Sequence, residues 1–118
     1  MAQAPVITVV GNLTADPVLR DSQAGKPWVT FSVANTPSTR NRTTGQWEDG
    51  EPMYLDCKAW GEQAENIAES LTKGTQVIVR GRLTQRSYTP RDGGEMRRSL
   101  ELAVDDIGPT LRFAKASV

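Results

Sequence analysis

The chain has 118 residues, 37% hydrophobic and 24% charged, with 14 lysines and arginines against 14 aspartates and glutamates. That length and balance give one globular domain with its own core, and a pI near 6.3 excludes a protein that coats duplex DNA by bulk charge alone. There is no histidine, which removes the commonest general base and metal ligand together with every Ser-His or Cys-His arrangement, so neither an enzyme nor a cofactor is expected.

The start, MAQAPVITVV, has neither the basic opening nor the cleavage site of a secretory signal, and no apolar run approaches a membrane span of roughly 18 residues. Residues 6–13, VITVVGNL, are β-branched and bounded by Pro5 and a TADP turn, which predicts a first strand. DSQAGKP is a turn. Residues 27–36 then alternate, with Val29, Phe31 and Val33 on one side and Trp28, Thr30 and Ser32 on the other, as a half-buried second strand does. A polar stretch follows over 37–52, whose TTGQ is able to close a projecting hairpin carrying Arg40, Arg42 and Trp47.

The third strand is 53–60, MYLDCKAW. Leu55, Cys57 and Ala59 suit a core, while Tyr54, Asp56, Lys58 and Trp60 share the opposite parity. Cys57, the only cysteine, reads as a small buried hydrophobe and excludes an internal disulfide. Gly61 breaks the strand, and Ala64, Ile67, Ala68 and Leu71 have helical spacing. Glu62 and Glu65 suit the helix start, and Lys73-Gly74 is a suitable stop.

The fourth strand, 75–88, turns Val77, Val79, Gly81 and Leu83 inward and Ile78, Arg80, Arg82, Thr84, Arg86 and Tyr88 outward. After TPRDGG the fifth strand, 96–108, carries Leu100, Leu102 and Val104 in phase and ends beside Asp105–Asp106, read as solvated carboxylates. PTLRFAKASV has enough apolar content for a short sixth strand. Charge is distributed unevenly: residues 1–72 carry net −4, residues 73–99 net +5 and residues 100–118 net −1.

Three strands, a helix, two strands and a tail strand describe an all-β chain with one helix. The order matches a five-stranded Greek-key barrel of the oligonucleotide-binding type, with its helix between strands 3 and 4 and a short extra C-terminal strand. Residues 1–108 form the domain and 109–118 a separate terminal segment. On that barrel, Tyr54, Lys58, Trp60, Arg82, Arg86 and Tyr88 interleave aromatics and cations on the non-core face. Single-stranded nucleic acid calls for this mixture, because bases stack on rings whatever their identity and cations follow the phosphates. Singly, each residue has a plainer reading: a surface tyrosine, a tryptophan capping the barrel, a charged edge. Trp28 shares the outer parity but follows a proline and suits an interface equally well.

VITVVGNLTADPVLR resembles the opening strand and turn of the bacterial single-stranded DNA-binding proteins, which typically read V-G-N-L-x-x-D-P-x-x-R. YLDCKAWGEQAENIAESLTKGTQVIVRGRL is similar to their third strand, helix and fourth strand, and DDIGPTLRFA to the actinobacterial branch. The resemblance covers about residues 6–108. It implies a homotetramer that coats single-stranded DNA in the cytoplasm, associated with the nucleoid, during replication, recombination and repair. Tyr54, Trp60 and Tyr88 fall on the family's base-stacking aromatics, and Lys73, Arg86 and Arg42 on basic positions near the DNA path. The tail, PTLRFAKA, is placed to clasp a neighbouring subunit.

Three departures stand out. Residues 38–41 carry no aromatic, leaving Trp47 on the returning arm as the substitute. Glu62 occupies a position that is often basic, and Asp56 lies between the third-strand aromatics. The acidic tip by which the family recruits protein partners is absent from this sequence, so such recruitment is not expected. Two other classes share parts of the pattern: a barrel that docks another protein, which near-zero net charge permits, and an RNA-binding module of cold-shock type, which uses the same stacking.

Overall fold

A strand that alternates apolar and polar side chains places every second residue on one face. In the computed structural model, which describes residues 2–22 and 25–118, Val29, Phe31 and Val33 of PWVTFSVAN are buried and the residues between them are half-exposed. The elements are β1 (Val6–Leu13), β2 (Val18–Asp21), β3 (Pro27–Asn35), β4 (Ser38–Arg40), β5 (Trp47–Asp49), β6 (Met53–Trp60), α1 (Glu62–Ser70), β7 (Gln76–Tyr88) and β8 (Arg97–Pro109). The middle of the expected DSQAGKP turn, Gln23–Ala24, lies outside the described residues. Its flanks are tied by Gly25 N–H donating to Ser22 O at 2.9 Å and Ser22 N–H to Lys26 O at 3.1 Å.

The main sheet runs β1-β7-β8-β6-β3-β2, and an additional β1–β3 pairing closes it on itself. All neighbours are antiparallel except β6 and β8. The five long strands therefore form the Greek-key barrel of the oligonucleotide-binding fold, and β2 is added beside β3. The helix lies between β6 and β7, the third and fourth of the long strands. β2 is invisible as a sequence pattern because its four residues are all exposed and so carry no alternation.

Closure requires strands to come very close, and two glycines permit it. β1 pairs with β7 along Val6–Asn12 and with β3 at Asn12–Leu13. At the changeover, a Cβ on Gly11 would stand 2.6 Å from the Ala34 carbonyl oxygen. A Cβ on Gly81 would likewise press on the Ala103 carbonyl oxygen of β8, next to the register shift between Arg80 and Gly81. Asn35 Nδ2 donates to Val10 O at 2.7 Å and reinforces the seam.

The core is apolar throughout the described residues, built on Leu13, Val33, Val77, Val79 and Leu102 with Ala64, Ile67 and Leu71 packed beneath the barrel. The helix stops at Ser70, three residues before the expected Lys73-Gly74 stop, and its last turn carries no cation. Leu71 caps the helix: it is extended and buried, and its N–H still donates to Ile67 O at 3.0 Å. Cys57 is buried, and desolvation, with the negative charges of Asp56 and Glu101 behind it, pushes its thiol pKa up to about 12.

Two segments extend beyond the core. β4 and β5 form a separate two-stranded hairpin, and the outer halves of β7 and β8 continue past the barrel as exposed strands. Leu100, in phase for the core by its parity, is therefore 52% exposed: the barrel has ended before its position. Residues 110–118 form no strand in the single chain, contrary to the expected sixth strand, because they pair with no other strand of it. These projections give a radius of gyration of 16.5 Å, against about 13 Å for a globular chain of this length.

Gly81→Ala is expected to lower the unfolding free energy by about 1–3 kcal/mol in urea titrations; an unchanged midpoint would show that β7 and β8 need not approach so closely. The raised Cys57 pKa stabilises the fold fully below the unfolded thiol pKa of about 9. That stability is lost as pH rises from there towards 12. The denaturation midpoint should fall over that window in the wild type and fall less in Cys57→Ala.

Candidate nucleic-acid interface

The outward face of the barrel is set by the pleat that fills its core. Because Leu55, Cys57 and Ala59 face in, Tyr54, Asp56, Lys58 and Trp60 face out, with Tyr54 68% and Trp60 42% exposed. Trp60 does not cap the barrel. It stands directly across from Trp28 on β3, which in turn stands across from Arg20 on β2. Directly opposed side chains on one face sit about 5 Å apart at Cβ, so the two indoles are neighbours. Arg20 Cζ lies 5.6 Å and Lys58 Nζ 5.2 Å from the centroid of the Trp28 ring. Ser22, Lys26, Trp28, Lys58 and Trp60 line a shallow depression of about 370 Å³.

The sequence pattern leaves Trp28 divided between this face and an interface and does not single out Arg20 or Lys26. The structure makes Trp28 its middle, since β3 lies between β2 and β6. Strand order between segments distant in sequence supplies that information, and no local spacing contains it.

On the other side of β6, Lys58 and Arg82 are both paired with Ala103 of β8. They occupy one cross-strand row, their backbones two strand spacings, or about 10 Å, apart. Arg86, opposite Ser99, joins Asp56, Lys58 and Glu101 in the lining of a cleft of about 380 Å³. Thus Tyr54, Lys58, Trp60, Arg82 and Arg86 share a continuous face over β6, β8 and β7. Tyr88 lies at the far end of β7, opposite Arg97 on the projecting arm. Lys73 lies in the turn after the helix, its backbone N–H donating to Asp16 Oδ1 at 2.8 Å.

Arg40, Arg42 and Trp47 belong to the separate hairpin. Arg40 is paired with Trp47 in the β4–β5 ladder, and Trp47 is 71% exposed. Asn41 organises the tip: its Oδ1 accepts from the Thr43 and Thr44 N–H groups at 2.8 and 3.2 Å, and Gly45 takes the positive φ of 74° that the turn needs. Arg42 sits in that tip.

Lys58, Arg80 and Arg82 are partnered. Lys58 Nζ is 3.7 Å from Glu101, and Arg82 Nε is 3.5 Å from Asp105. Arg80 donates from Nη2 and Nε to Asp106 Oδ2 at 2.6 and 3.0 Å, and that hydrogen bond and charge raise its pKa further. Asp105 and Asp106 are thus partners of the arginine row rather than merely solvated groups. The register shift opposite Arg80/Gly81 gives β8 an extra residue there, which lets both carboxylates reach β7. Among the described residues no ion pair engages Arg86, and no group of carboxylates, cysteines or histidines suited to a metal occurs.

Flat aromatic platforms next to cations, on the outside of a closed small barrel, define a surface for flat heterocycles joined by anions, the chemistry of an oligonucleotide-binding barrel. The model of the Single-strand binding protein family matches residues 5–110, and the chain belongs to that family. A single-stranded DNA-binding protein of Mycobacterium tuberculosis is 54% identical over 118 residues, covering all of this chain and 71% of the relative. One from Bifidobacterium longum is 50% identical over all of this chain and 54% of its own length. The crystal structure of a small single-stranded DNA-binding protein from Streptomyces coelicolor superposes with a TM-score of 0.81 at 33% identity, covering 93% of this chain and 97% of that one. A Plasmodium falciparum SSB complex with ssDNA, at 19% identity and a TM-score of 0.78, shares the fold.

Proposed function

We propose that the chain binds single-stranded DNA without strong sequence preference, protecting exposed strands during replication, recombination and repair. The observation that carries this reading is the outward row of β6, Tyr54–Lys58–Trp60, flanked across β8 by Arg82 and Arg86. Membership of the Single-strand binding protein family supports it. Bases stack on the rings for roughly 1–3 kcal/mol each, and the cations follow the phosphates. The protein acts by binding, as its family does, and not by catalysis. Arg40, Arg42 and Trp47 on the hairpin, Lys73 beside the 14–17 turn and Tyr88 on the β7 arm extend the path beyond the barrel. Because Lys58 and Arg82 already face carboxylates, phosphate must displace those partners, and stacking supplies more of the affinity than charge does.

The working form is a homo-oligomer, a homotetramer by family resemblance, associated with the nucleoid. Val6, Val10 and Ile78 support an assembly: they are exposed apolar side chains on the outer face of β1 and β7, with Val10 directly opposite Ile78. Leu111 and Phe113, exposed in the terminal segment, suit a clasp on a neighbouring subunit. Light scattering should give a mass about four times 12.9 kDa, and a monomer mass at micromolar concentration would exclude the assembly.

All three tryptophans have exposed or half-exposed side chains, so titration with a dT oligomer should quench intrinsic fluorescence. Absence of binding below micromolar concentration would overturn the reading, and preferential binding of a U oligomer would redirect it to RNA. Trp60→Ala should weaken binding by about 1–3 kcal/mol for every base composition. Arg86→Ala should instead make the slope of log affinity against log salt shallower by about 0.7. Equal loss of salt dependence in both variants would contradict that division of labour.

A further inference from the structure

Among the described residues, Trp28 is the one aromatic with cations over its ring, Arg20 at 5.6 Å and Lys58 at 5.2 Å. They come from the two strands that flank it: Arg20 is directly opposite on β2, and Lys58 is a diagonal neighbour on β6, where it pairs with Thr30. A ring covered in this way is poorly placed to receive a base. Trp60, its partner across the ladder, carries no such cation and is open to solvent.

We infer that Trp28 is a positioning residue, holding Arg20 and Lys58 over its ring so that they grip the phosphate of the nucleotide whose base stacks on Trp60. The inference rests on the DNA-binding reading and names which residues hold one phosphodiester within it. An arginine and a lysine on free stems lose much rotamer freedom on binding an anion. Cations already gathered by a π face lose less, which is affinity gained by preorganisation. Lys58 also has the half-buried Glu101 at 3.7 Å, so a phosphate arriving beside Trp28 competes with that one carboxylate. Lys26 joins Lys58 in the lining of the depression that Trp28 and Trp60 share. Trp28 thereby acts on charge, in contrast to the stacking role of Trp60.

The test compares wild type, Trp28→Leu, Trp28→Phe and Arg20→Gln, measuring dT-oligomer affinity across a salt series. Each single-strand phosphate contact contributes about 0.7 to the slope. Arg20→Gln should therefore make the slope shallower by about 0.7, and Trp28→Leu, which frees both cations, by up to about 1.4. Trp28→Leu should also bind about three- to tenfold more weakly at low salt, and Trp28→Phe, which keeps a π face, should recover most of both losses. Weaker binding by Trp28→Leu at an unchanged slope would make Trp28 a stacking or structural residue and overturn the inference. A wild-type slope in Arg20→Gln would overturn it as well, even if the leucine variant does not fold. Wild type that fails to bind dT at all sinks the DNA-binding reading itself, whereas binding with unaltered variant slopes sinks only the role of Trp28.

Discussion

Closure of five strands around a small core is the constraint on which the other features depend. In so narrow a barrel β1 must serve two neighbours, β7 along most of its length and β3 at its end, and it does so where Gly11 lets the Ala34 carbonyl approach. Gly81 performs the same service between β7 and β8. Once the sheet is closed there is a true inside, and the pleat sends Val29, Phe31 and Val33 of β3, Cys57 and Ala59 of β6, and Val77 and Val79 of β7 into it. The remaining half must face water. Tryptophan and tyrosine on that half leave their large apolar faces exposed to solvent, which makes them ready to cover a flat ligand.

The same closure organises the charges. The shift in register at Arg80/Gly81 inserts an extra residue in β8, and through it Asp105 and Asp106 meet Arg82 and Arg80. In the sequence segment of net +5, two of the seven cations, Arg80 and Arg82, are thus paired with carboxylates. Exposed pairs of this kind contribute little to stability, so they hold arginines in place without preventing an incoming phosphate from taking over. A neutral protein can in this way present cations locally while avoiding a strong long-range field.

Parity made much of the fold legible. Val29, Phe31 and Val33, then Leu55, Cys57 and Ala59, then Val77 and Val79, alternate so strictly that the buried face could be read directly, and Ala64, Ile67 and Leu71 marked the helix. The readings that failed share one cause. Leu100 has the right parity but lies beyond the end of the barrel, and β2 has no buried face to reveal it. In each case local pattern was overruled by where a distant segment stops or packs.

The sequence by itself determined which parity of each long strand would supply the core, because alternation along one strand is a local property. It also determined that the outward set of β6 and β7 mixes rings with cations. Only the tertiary structure decided which rings and charges meet. Trp28 and Trp60 are 32 positions apart in the chain, and Arg82 reaches Asp105 across a bulge. Their juxtaposition depends on strand order and register, which are settled by closing the barrel and not by any neighbouring residue.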